Sequence, residues 1–73
     1  MKKKFRRELT LPEMELRIEV MGLWPATKRI EAAFRHFPEL RNREEYSHYE
    51  LAEFIGMARE TTSRALKKLR RNI

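Results

Sequence analysis

Residues 47–73 read SHYELAEFIGMARETTSRALKKLRRNI, and their spacing decides the fold. Ser47-His48-Tyr49-Glu50 has the form of a capping box, a hydroxyl residue with a glutamate three positions later, so a helix should begin at His48. Leu51, Phe54 and Ile55 supply its buried face, and Ala52 is small where another helix must cross. Gly56 permits the positive φ that ends a helix, and Met57 turns back inward. A second helix runs from Ala58, with Thr62, Ala65, Leu66, Leu69 and Ile73 at helical spacing as one inward stripe. Two helices joined by about three residues in this way form a helix-turn-helix.

What the second helix leaves outside is charged. Arg59 and Glu60 come first, Ser63 and Arg64 one turn later, then Lys67 and Lys68. On a helix laid in the major groove, arginine offers a fork that matches guanine O6 and N7, and glutamate accepts from cytosine N4. Arg59, Glu60, Ser63 and Arg64 are therefore the candidate base readers. Ser47, His48, Tyr49, Thr61, Lys67 and Lys68 are the candidate phosphate contacts, Ser47 doubling as a cap. A plainer reading competes at two of these positions. Glu60 and Arg64 stand at i, i+4, where a surface pair is worth about 0.2–0.5 kcal/mol and implies no ligand. Arg70 and Arg71 read as nonspecific charge.

Upstream, Pro38–Tyr46 (PELRNREEY) carries turn chemistry and almost no core residues, so it reads as a connector with room for a short strand at Glu45–Tyr46. Before it, Ala26, Ile30, Ala33, Phe34 and Phe37 form the stripe of an amphipathic core helix that starts near Pro25 and stops at Pro38. Lys28, Arg29, Glu31 and Arg35 fall off that stripe and read as a solvated face. Trp24 reads as a core or staple residue rather than a stacking platform for bases, and His36 as a lone histidine without metal or catalytic duty.

Thr10-Leu11-Pro12-Glu13 is another capping box with proline in the first turn. The alternation of MELRIEVM over 14–21 argues for a strand, but the box at one end and Gly22 at the other favour a helix. On that helix Leu16 and Val20 fall on a different flank from Met14 and Ile18. The segment Leu11–Met21 is thus the one candidate dimer seam. Residues 1–9 form a basic arm, read as flexible, that is either a solvated tail or a phosphate contact.

Seventeen Lys and Arg against eleven Asp and Glu give a net charge of +6 and a pI near 10.2. That balance points to nucleic acid, an anionic membrane or an acidic protein. The 73 residues suffice for one domain, and no apolar run is long enough to span a bilayer. There is no cysteine, hence no disulfide and no thiolate chemistry. The abundance of Glu, Lys, Arg and Leu with few Gly is a bias met in thermophilic proteins and in designed or engineered sequences.

The run L-A-x-x-I-G-M-A-R-E-T-T-S-R-A-L-K-K-L, within Ser47–Leu69, resembles the helix-turn-helix of the Crp/Fnr family of bacterial transcription regulators. A weaker likeness reaches back through Ala26–Phe37. The resemblance implies that Arg59 and Glu60 read a G·C pair, that Arg64 reads a further base, and that Thr61 and Ser47 touch the backbone. Only about 20 residues precede the likeness where the family has an effector domain and dimerisation helix, so no cyclic nucleotide, haem or iron–sulfur sensing is expected. The chain also stops at Ile73, where the family would enter a β-hairpin wing. Thr62 takes a place usually held by a buried aliphatic, and Ala58 one usually held by a hydroxyl residue. These departures imply an isolated, trimmed or redesigned module rather than a full ligand-responsive regulator.

The expectation is an all-α fold of four helices, at roughly 12–21, 25–37, 48–55 and 58–71. It acts as a cytoplasmic, sequence-specific binder of double-stranded DNA, monomer or homodimer, with no cofactor, no metal, no catalytic residue, no membrane and no small-molecule effector. The competing class is a protein-interaction module that turns its basic face to an acidic partner.

Overall fold

Two of the four helices start where their capping boxes place them. The computed structural model describes residues 7–71. Thr10 Oγ1 accepts the Glu13 N–H while the Glu13 carboxylate accepts the Thr10 N–H, and α1 (Leu11–Met21) begins there. Ser47 and Glu50 make the same reciprocal pair at the start of α3 (His48–Ile55). Between them lies α2 (Ala26–His36), and α4 (Arg59–Arg71) closes the chain. No strand occurs among the described residues: the segment 14–21 is the capped helix that its ends favour, and the room for a short strand at Glu45–Tyr46 is taken by a turn.

α4 packs against α2 and α3, and α1 lies across α2 and α3. Their shared interior is Val20, Ile30, Ala33, Phe37, Leu51, Phe54, Ile55, Ala65 and Leu66, with Leu9, Leu16 and Met57 against its edge. Phe37 and Phe54 meet edge to face, 5.0 Å between ring centres. As the flanks of α1 imply, Val20 is buried and Leu16 packs on the core while Met14 and Ile18 stay exposed. Gly22 caps α1 through its N–H, yet its φ is −91°, so nothing in the backbone demands glycine there.

Three expectations fail, each for a local reason. The connector is not free of core residues: a 3₁₀ turn at Pro38–Arg41 rotates Leu40 inward, and Tyr46 follows it into the centre, both essentially inaccessible. Trp24 is not core. The inward stripe of α2 begins two residues later, and the indole lies on the surface with the Arg29 guanidinium 5.9 Å from its ring. Arg29 is not part of a solvated face. It donates to the carbonyls of Leu23, Ile55 and Gly56, tying the α1–α2 loop to the end of α3.

The N-terminal approach is tied as well. Arg7 grips the Glu13 carboxylate with both terminal nitrogens at 2.9 Å and donates Nε to Glu39 at 2.8 Å. The Arg7 charge, and after it the Thr10 amide, hold the Glu13 carboxyl at about 2, well below its ordinary range. The folded unit thus takes in Arg7 and Leu9, while residues 1–6 of the basic stretch lie outside the described residues.

Candidate nucleic-acid interface

The angle between α3 and α4 is set at Gly56, whose φ of 70° is left-handed. Met57 donates back to Ala52 at 2.9 Å, closing the helix end. A helix C-terminus leaves its last carbonyls without helical donors. Here two arginines supply them. Arg17 donates Nε to Phe54 at 2.8 Å and lies 4.6 Å from the Phe54 ring centre, and Arg29 serves Ile55 and Gly56, each at 3.2 Å. Cations at this end also complement the helix dipole. The turn is thereby clamped from α1 and α2 at once.

From this turn α4 emerges with one side committed to the interior. Thr62, Ala65 and Leu66 are buried and Leu69 packs against the core. Thr62 takes the aliphatic place by sending its hydroxyl along the helix: Oγ1 donates to the Ala58 carbonyl at 2.9 Å, and the Thr62 N–H reaches the same oxygen at 2.9 Å. Ile73, the last residue of the expected stripe, lies outside the described residues.

The other side of α4 is open. Arg59, Glu60, Arg64, Lys67 and Lys68 are all exposed. The Glu60–Arg64 pair does form, but at 3.8 Å and with both side chains about four-fifths exposed, the loose surface contact that breaks at little cost when a ligand offers better partners. Ser63 is half-buried, and its Oγ lies 3.0 Å from His48 Nδ1. That contact brings the start of α3 against α4. Burial, followed by the charges of Arg43, Arg70 and Arg59, pushes the His48 pKa below its ordinary value. Ser47 is exposed, and since its Oγ accepts from Glu50, its own O–H remains able to donate outward. Tyr49 differs: its hydroxyl donates to the Glu53 carboxylate at 3.1 Å, which also raises its pKa.

Two further groups border the face and carry no periodic signal that would have marked them. Trp24, Pro25 and Thr27 share a shallow hollow of about 280 Å³ with Thr61, Arg64 and Lys68. It lies at the start of α2, where Pro25 provides no side-chain cap for the first amides. Arg43, from the connector, stands near Arg70 and His48.

Two helices set across a left-handed glycine, the second anchored on one side and charged on the other, define a helix-turn-helix protein. The chain belongs to the Crp-like helix-turn-helix domain family, which it matches over residues 29–72. Membership makes it a DNA-binding domain of the transcription-regulator type. Comparison with curated proteins and with solved structures gives no match. Among the described residues no helix is long and apolar enough to cross a membrane.

Proposed function

We propose that this chain reads a specific sequence in double-stranded DNA by laying α4 in the major groove. Arg59, Glu60 and Arg64 contact base edges, and Ser63 does so once it turns from His48. The observation that carries the reading is the exposed row Arg59–Glu60–Arg64 at the N-terminal half of a helix pinned on its opposite side by Thr62, Ala65 and Leu66. Glu60 bears the most weight, because a carboxylate facing phosphates is unfavourable unless it reads a base or orients an arginine.

Phosphate contacts flank this row on both sides. Ser47 and His48 serve one strand from the start of α3, and Thr61, Lys67 and Lys68 serve the other side. The uncapped start of α2 at Ala26–Thr27 adds amide donors beside Thr61, where a helix dipole favours an anion. Tyr49 contributes only after giving up Glu53. In a cell such a domain acts in the cytoplasm on the nucleoid. Selection from a random duplex pool tests the reading. Recovery of a motif supports it and, by containing one half-site or two, gives the stoichiometry; recovery of none refutes base readout.

A contact with protein is favoured by a separate observation, the exposed Leu11, Met14 and Ile18 on one flank of α1. Sedimentation equilibrium tests whether this flank joins two copies, the arrangement that two half-sites would need.

A further inference from the structure

Toward the C-terminal end of α4 a groove of about 640 Å³ opens between α2, the connector and the last turns of α4, with Arg43 and Arg70 on the side that approaches His48. Its size falls in the range of small-molecule sites, roughly 300–1,000 Å³. Phe34, Leu66 and Leu69 form an apolar floor, and Arg35, Arg41, Arg43 and Arg70 stand around it, with Glu31 the single carboxylate of the lining. We propose that this groove binds a small organic anion, a carboxylate, sulfonate or phosphate carried on an aromatic or aliphatic body.

The argument rests on what the arginines do elsewhere in this chain. Arg7 holds two carboxylates, Arg17 and Arg29 hold carbonyls, and Arg64 leans on Glu60. The four at the groove make no ion pair among the described residues, although Glu31 lies in the same lining. The four guanidinium groups are exposed and gather like charge over a half-buried apolar floor, and an anion among them relieves their screened repulsion. Arg43 and Arg70 are close enough to depress the Arg43 pKa, after the larger effect of its burial. Arg41 lies 5.7 Å from the Phe34 ring centre, which holds one donor over the floor.

The floor selects an organic ligand. Inorganic phosphate would satisfy the arginines and leave the half-buried Phe34 and Leu69 partly wet, whereas an apolar body covers them. The site is also poorly shaped for duplex DNA. A convex backbone meets the rim but not a recessed floor, and Leu66–Arg70 lies about 10–15 Å along α4 from Arg59–Glu60 at 1.5 Å per residue. It lies on the helix-turn-helix domain itself rather than in the sensor domain of the resembling regulators, and a ligand there would run against the sequence expectation of no small-molecule effector.

The test is a heteronuclear NMR titration of the full chain with naphthalene-2-sulfonate. Saturable shifts confined to 34–35, 41–43 and 66–70 are expected, with sodium phosphate about tenfold weaker or more. Arg70→Gln weakens the probe by about tenfold, and Arg43→Gln/Arg70→Gln by more, with unchanged helicity. Shifts gathered on Leu11, Met14 and Ile18, or equal affinity in the double variant, overturn the proposal. So does loss of duplex affinity in the double variant with probe affinity retained, which assigns these arginines to the DNA backbone. Because the readout uses no DNA, its failure is separate from failure of base readout.

Discussion

Replacing Thr62 by valine should stabilise the protein, although it deletes a hydrogen bond. The side chain is fully buried, and its hydroxyl donates to an Ala58 carbonyl that already accepts the Thr62 N–H. Valine therefore leaves no orphaned acceptor, the circumstance in which losing a hydrogen bond is most damaging. A second donor on a shared oxygen belongs at the low end of the usual net value, about 0.5 kcal/mol. The added methyl returns about 0.8–1 kcal/mol of apolar burial, and removal of the hydroxyl's bond back to the preceding turn relieves a mild helix distortion.

The balance is a gain of about 0.5 kcal/mol, or a rise in Tm of about 2–4 °C for a chain of this length. Thr62→Ser keeps the hydroxyl and loses the methyl, so it should cost about 1–1.5 kcal/mol through lost transfer and a small cavity. Thermal and urea denaturation of the two variants measure both numbers. Serine near wild type with valine lower by more than about 0.5 kcal/mol refutes the reasoning, since the hydroxyl rather than the volume would then be holding α4.

Gly56→Ala should cost about 1–2 kcal/mol in chemical denaturation, because φ is 70° and the new Cβ would stand 2.8 Å from the end of the flexible Met21 side chain. Arg29→Met removes the donor to three carbonyls, of which the contact with Ile55 is part-buried and the other two exposed, for an expected loss of about 1 kcal/mol by the same measurement. His48 has a folded pKa below its unfolded value of about 6.5, so the unfolded chain takes up the proton first. Stability should be level above about pH 6.5 and fall as pH drops from there through the folded pKa, and His48→Gln should abolish that fall. For DNA the sign reverses: a phosphate beside His48 raises its pKa above that of the free folded protein, so fluorescence anisotropy should show tighter binding as pH falls toward the lowered folded pKa. Arg59→Ala or Glu60→Ala should relax preference at one base position, whereas Lys67→Ala should weaken all duplexes alike and lower the salt slope by about one.

The helices were legible because their ends are written in short-range chemistry. Thr10–Glu13, Ser47–Glu50 and Gly56 each act within one turn of their own position, and the observed boundaries fall within a residue or so of the expected ones. Leu40 and Tyr46 were not legible, since neither the 3₁₀ turn that holds Leu40 nor the irregular turn that holds Tyr46 has a three-to-four residue stripe for a period to reveal, and charged neighbours disguise both. Trp24 failed for a related reason. Hydrophobicity says that a side chain prefers cover, not which of two seams supplies it, and here the indole lies outside on the flank of α4.

Charge was the least legible property of all, because a count of seventeen basic residues does not say which of them are spent on the fold. Arg17 and Arg29 differ in no local respect from Arg35 or Arg64: each sits one position off an apolar stripe. Only packing separates them. The end of α3 leaves its last carbonyls without helical donors, and the two arginines within reach are drawn there, rigidifying the turn that aims α4. Their removal should therefore change DNA affinity through the geometry of the turn and not through the salt slope, the opposite of Lys67. Among the described residues the same partition leaves positive charge concentrated along the outer face of α4 and around the Phe34–Leu69 groove. A domain whose basic residues were chosen only for solubility would have no cause to gather them there.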